Sequence, residues 1–470
     1  MQLNDEMPAV RSNSNRGERA IASDSGVFEG PVLRRLLALA VPICVGMCVQ
    51  VGFYVANTFW IALIDRSSAV YVGAMGMIMP IAQILLAICN GITVATSSIL
   101  SRALGSGDER AIKSVVTSSL WVALTIASAF LVLGYWFDSS IVRALGARGE
   151  YFVPTRTYLR YLLPSVVILC STSVLAGILQ GHGAMRSVMN GLLIGVATNT
   201  ILDPLFIRVF GLGLRGAALA TLLSQLAILV SYLVTVFRGR LGDPRFLRFA
   251  LVARSEIWAV VALAGPVSFS QATAAFGYLV YNRIIADIDV LAVTSFSLCA
   301  RFDQLVLIPV SAVALAVGTL VGKNAGRGNF ARVRKIWRGA LMFAWIAVAV
   351  LATTMILAAP RLYGFAQHHP VVVEYAVRQT RTMEYGFLLT ATCMLSNAVF
   401  QGIGRSLPIA VITLAQLFLV ALPLMALLRA FHAPSLFTVW LCLIAGNLVA
   451  AIASVIWVRK EIGRRERAAQ

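Results

Sequence analysis

The sequence predicts an all-α polytopic membrane protein, with twelve transmembrane helices in two six-helix lobes related by a pseudo-two-fold axis along the membrane normal. Three observations predict it. Hydrophobic residues make up 59% of the 470 positions and charged residues 13%, against about 25% charged in a soluble domain. The apolar runs are long enough to cross a hydrocarbon core of about 30 Å as helices, and they lack the period-2 alternation of a membrane barrel. Finally, three short motifs occur twice in the same order. Leu39–Pro42 (LAVP) returns as Leu263–Pro266 (LAGP), Ser101–Asp108 (SRALGSGD) as Gly322–Asn329 (GKNAGRGN), and Leu179–Gly183 (LQGHG) as Phe400–Gly404 (FQGIG). Offsets of 224, 221 and 221 residues mark a tandem duplication, and parallel repeats with an even number of spans share one orientation in the bilayer.

The elements follow in chain order. Residues 1–32 are polar and carry no apolar h-region, so they read as a disordered cytoplasmic tail and not as a signal peptide. Apolar spans are expected at 36–64, 69–100, 114–136, 158–181, 188–208 and 216–237, which make an N-lobe over 33–237. A basic linker, 238–255, joins it to a C-lobe over 256–457, with spans at 256–285, 291–321, 339–359, 381–402, 408–428 and 434–457. A basic tail, 458–470, closes the chain. Pro42 and Pro266 each remove a backbone donor near the start of the first span of a lobe and are the candidate hinges.

A net charge of +19 could suggest a nucleic-acid partner, but its placement argues otherwise. Of the 39 Lys and Arg residues, 26 fall in the two tails and in the loops on their side, and 8 in the opposite loops. The positive-inside rule then places both termini in the cytoplasm, in a multi-pass protein of the plasma membrane (a bacterial inner membrane). The basic balance is topology, and no nucleic-acid partner is expected. All seven cysteines lie in apolar runs and the four histidines in loops, so neither a disulfide framework nor a metal site is expected, and no cofactor.

Ionisable groups in hydrocarbon cost about 2.5–3.5 kcal/mol each on insertion scales and so mark function. Asp203 lies late in the fifth span, four residues after Asn199, which places both on one helix face. Gln50 and Asn57 share a face of the first span, two turns apart. If the two faces meet, one carboxylate is ringed by amides and, desolvated there, can load and unload a proton as the site for cation coupling. Asp303, mid-way along the eighth span, is the alternative coupling site, whereas Glu384 near the start of the tenth reads as an interfacial group. Phe53, Tyr54 and Gln271 are the candidate lining of a substrate cavity. Aromatic and Met-rich walls suit amphipathic ligands.

Several segments together resemble the multidrug and toxic compound extrusion (MATE) family. They are Pro42, SRALGSGDERAIKS from Ser101, YLRYLLPS from Tyr158, LQGHGAMRS from Leu179, and the stretch from Asn199 to Thr221 that contains NTILDPLF and FGLGLRGAALAT. YNRIIA from Tyr281 and GKNAGRGN from Gly322 extend the resemblance through the second lobe, to nearly all of 33–457. It implies a V-shaped pair of lobes that alternate between outward- and inward-open states. The implied activity is secondary active export of amphipathic compounds, cations among them, in exchange for H+ or Na+. It further implies a cation site that joins the first span to an Asn-x-x-x-Asp in the fifth, matched by Asn199 and Asp203, with Gln50 as an associated glutamine. The chain departs from the family at Asn57, where an acid is usual, and has no acid among residues 271–274 of the seventh span; proton coupling is therefore preferred over sodium. The runner-up is a lipid-linked oligosaccharide flippase of the same superfamily, which would carry several cavity bases, whereas only Arg301 lies well inside a span. An enzyme is not expected, since no span holds a histidine, an HExxH or a GxSxG. The partners expected are a small-molecule substrate and the lipid bilayer, and a 6+6 carrier completes its pathway as a monomer.

Overall fold

The computed structural model describes residues 31–62, 70–238, 253–367, 369–431 and 435–469, without the side chains of 52–72, 208, 429–431 and 469. The expected tail, most of the linker, and the side chains of Phe53, Tyr54 and Asn57 therefore lie outside the described residues. The first three spans are the helices Val32–Ala62, Val70–Ser106 and Glu109–Trp136. The fourth, Phe152–His182, follows a short helix, Asp138–Ala144. The fifth is Met185–Pro204 and the sixth Gly213–Arg238. In the second lobe the seventh, eighth and ninth are Arg254–Ile288, Val290–Gly326 and Phe330–Ala366. The eleventh runs through Leu407–Leu414, a π-helical Ala415–Ala421 and Leu422–Phe431, and the twelfth is Leu436–Ala469. Among the described residues, eleven helices are long and apolar enough to cross a membrane.

The tenth span departs from the continuous 381–402 expected. It is assembled from Pro370–Met383, a 3-10 turn Glu384–Gly386, and Phe387–Gly402. Its last segment, 16 residues, is too short alone to span about 30 Å of hydrocarbon at ~1.5 Å per residue.

Both copies of each motif fold alike. Gly107 and Gly328 adopt φ of +75° and +73°, a backbone that glycine enters without a Cβ penalty. The next residue then caps the following helix. Asp108 accepts from the Arg110 and Ala111 amides, and Asn329 from the Arg332 amide, all at 3.0 Å. Gly183 and Gly404, which end the third motif, are likewise left-handed, at +84° and +78°. On the opposite end, Asp138 is held by Arg156 at 2.9 Å and by Arg160, one turn further along the fourth span. Burial alone would raise this carboxyl, but the two guanidinium bonds and one from Ser139 outweigh it and hold it at about 2.

The lobes interlock. The first span packs against the fifth of its own lobe and against the eighth of the other, and the second packs against the seventh as well as the fourth. Leu36, Ala40 and Ile43 of the first span accordingly share a core with Ala312, Val313 and Ala316 of the eighth. Ala95 and Val122 meet Val260, Leu263 and Ala264 in the same way. At the other end the cores separate by lobe: Ala74, Ile78 and Leu163 cluster in the first, and Ile285, Phe296 and Met425 in the second. Leu357, Leu419 and Phe365 stand fully outward. In water each would forfeit about 1.5–3 kcal/mol of burial, and a lipid solvent removes that cost.

Candidate functional site

The fifth span turns its polar face inward, so that Asn199 and Asp203 are each 1% exposed. It packs against the first span, which makes neighbours of the two helices that carry the expected cation site. Gln50 is half-buried on the first span. Immediately after Asp203, Pro204 withdraws a backbone donor and the chain passes through a π-helical turn, Leu205–Val209. Such turns widen the backbone and recur at functional sites. Tyr158 of the fourth span lies within electrostatic reach of Asp203. Sequence reasoning did not single it out as a site residue, because a phenol in an apolar run carries no charge signal. The eleventh span repeats the proline as Leu422-Pro423 next to its own π-helical stretch, with no acid. The two lobes are therefore chemically unequal at this depth.

A second group of acids lies in the C-lobe. Glu384, expected at the interface, is 1% exposed at the break in the tenth span, with Oε1 lacking a hydrogen-bond partner. This corrects the interfacial reading: the 3-10 turn folds the residue under its neighbours, and a helix-start position in a continuous span would not. Asp303 of the eighth span is within electrostatic reach of it, and Cys299 of both. Tyr363 of the ninth span closes the group by a 2.8 Å hydroxyl contact with Thr380, which itself lies 4.0 Å from Cys299 Sγ. Two carboxyl groups with few bases around them form a site that can hold a cation.

Between the lobes, the second and third repeated motifs and the residues beside them meet across the interface. Thr319 Oγ1 donates to the Gln180 carbonyl at 2.9 Å, and its counterpart 221 residues earlier, Ser98 Oγ, donates to the Gln401 carbonyl. Lys323 Nζ donates to the His182 carbonyl at 3.2 Å, while Arg102, its counterpart, lies against Gly404. Gly105 abuts the Lys323 carbonyl and Gly326 the Arg102 carbonyl, each so closely that a Cβ would overlap the oxygen. Deeper in the interface, Asn90 Nδ2 of the second span donates to Gln271 Oε1 of the seventh at 3.3 Å. Gln271, expected to line a substrate cavity, is thus exposed at the lobe boundary. Pro42 and Pro266 each sit inside a helix that continues through them.

The chain and its fold have known relatives. The MatE family profile matches residues 42–205 and 266–427, once in each lobe. The chain is 23% identical over 403 residues to a probable multidrug resistance protein, YpnP, of Bacillus subtilis, covering 86% of this chain and 90% of that protein. It is 22% identical over 428 residues to the multidrug export protein MepA of Staphylococcus aureus, covering 91% and 94%. Among solved structures, an outward-facing multidrug resistance MATE transporter superposes with a TM-score of 0.86 at 26% identity, over 94% of this chain and 98% of that one. The MATE transporter ClbM in complex with Rb+ superposes at 0.85 with 29% identity, over 94% and 99%. The chain belongs to the MatE family of membrane transporters and is not an enzyme.

Proposed function

We propose that the chain exports amphipathic compounds, cations among them, by alternating access, in exchange for protons. Both termini face the cytoplasm, so the motif-bearing end is the inner gate and the state described is closed inward. The observation that carries this reading is the division of the interface. At the motif-bearing end the lobes share cores and reciprocal hydrogen bonds, and at the other end each lobe has its own core. A hinged pair of lobes held at one end is the geometry that a rocking carrier alternates. The names of the relatives, a multidrug export protein and a probable multidrug resistance protein, support the substrate class.

Asp203 is the coupling acid, with Asn199 and Gln50 as hydrogen-bonding partners and Asn57 in place of a second acid. A desolvated carboxyl binds a proton in a dry site and releases it to a wet one, so the rocking motion can be tied to proton movement. Asp303, now paired with Glu384, is the alternative site. Dye efflux in everted vesicles under an imposed pH gradient tests the assignment. Loss of gradient-driven efflux in Asp203→Asn with survival in Asp303→Asn supports it, and the reverse pattern moves coupling to the C-lobe.

A further inference from the structure

At the motif-bearing end, away from the lobe interface, a cavity of about 280 Å³ opens between the ninth and twelfth spans, lined by Arg334, Trp337, Arg338, Arg459 and Ile462. Glu466 neutralises Arg334. Arg338 and Arg459 are exposed, and neither makes an ion pair among the described residues. Trp337 is 2% exposed and its Nε1 has no hydrogen-bond partner. A buried indole N–H without an acceptor costs about 1–3 kcal/mol, and two unmatched guanidinium forks suit the oxygens of a phosphate.

The flanks of the cavity identify what carries that phosphate. On the ninth span, Met342, Trp345 and Ile346 follow Arg338 at four, seven and eight residues and so continue its face; all three are exposed. On the twelfth, Ile456 and Ile452 precede Arg459 at three and seven residues and are exposed as well. Two basic heads, about 8 and 10 residues in from the helix ends, each above an outward apolar stripe, match a molecule with an anionic head and two acyl chains. We propose that this cavity binds the phosphodiester head group of an anionic membrane lipid, with Arg338, Arg459 and the Trp337 N–H as donors. Basic pockets between transmembrane helices take such head groups.

The duplication supplies an internal control. By the 221-residue offset of the turn motif, the N-lobe counterparts of Arg334, Trp337 and Arg338 are Lys113, Val116 and Thr117. The same end of the equivalent helix therefore lacks the indole donor and one base. A general need for positive charge at this end would not create that asymmetry. Placing the lipid in the cytoplasmic leaflet rests on the topology proposed above, whereas the site itself does not.

Native mass spectrometry of the delipidated full-length protein, titrated with phosphatidylglycerol or phosphatidylcholine, tests the site independently of transport. The expected result is preferential phosphatidylglycerol binding that weakens about thirtyfold in Arg338→Ala/Arg459→Ala and a few-fold in Trp337→Phe, with Lys113→Ala unchanged. Arg338→Gln/Arg459→Gln, of closer size, repeats the measurement if the alanine variant elutes as aggregate. Equal binding by the variants, or equal binding of the two lipids, overturns the proposal. Displacement of the lipid by inorganic phosphate at comparable concentration would also overturn it, by making the cavity a site for the free anion.

Discussion

Gly105 packs against the carbonyl of Lys323, and Gly326 against the carbonyl of Arg102. Each glycine closes on the residue three positions before the other. The contact maps onto itself by rotation about the pseudo-two-fold axis, and it brings the second and eighth helices together at their ends with no room for a side chain.

Replacing either glycine with alanine therefore wedges the same joint open. Because φ at both positions is ordinary, the effect comes from contact and not from backbone strain. Gly105→Ala and Gly326→Ala are expected to cost this interlobe contact about 1–3 kcal/mol each, as overpacking does, and by similar amounts. The readout is alkylation of a cysteine placed at Gln180, which should speed up in both variants. If only one glycine matters, the joint is not symmetric in function.

The hydrogen bonds beside that joint are weaker and should act in proportion. Thr319→Val and Ser98→Ala each remove one donor to a carbonyl of the opposite lobe. A net hydrogen bond is worth about 1 kcal/mol, which corresponds to roughly a fivefold shift toward lobes separated at this end. Interlobe distance distributions from paired spin labels measure that shift directly.

Asp138 gives a pH-dependent prediction. Its carboxyl sits at about 2, below its ordinary value. Its contribution is therefore fully present above the unfolded-state value of roughly 4 and is lost as pH falls toward the folded one. Asp138→Asn should lower stability by about 1 kcal/mol at neutral pH, since both arginine partners are partly exposed, and should leave it nearly unchanged near pH 2. Thermal unfolding in detergent at the two pH values checks both limits.

The C-lobe acids predict a trade between stability and function. Asp303 and Glu384 are neighbouring carboxyl groups that repel where both are ionised, so neutralising one relieves that repulsion. Glu384→Gln is expected to raise the unfolding temperature while export driven through Asp203 persists at reduced rate. A lower unfolding temperature would show that Glu384 instead has a partner it stabilises.

Much of this was legible in the chain. Apolar run length gave the spans, and the Asn199–Asp203 spacing placed both residues on one face, which the fold buries. The 221-residue repeats announced a duplication. What they could not announce is that Ser98, Arg102 and Gly105 touch the other copy's motifs, because recurrence in sequence carries no information on which copies meet in space. Glu384 was misread for a related reason. A charge near an expected helix start is usually solvated, and no proline marks the 3-10 turn that buries it. Tyr158 went unnoticed as a site residue because its proximity to Asp203 comes from packing of the fourth span, not from local spacing.

In the function proposed, one carboxyl, Asp203, ties the motion of the lobes to a proton gradient. The most direct test is dye efflux in everted vesicles with an imposed pH gradient, wild type against Asp203→Asn, with and without sodium. Sodium-independent efflux that follows the gradient and is lost in the variant is expected. Gradient-driven efflux that survives in Asp203→Asn would contradict it.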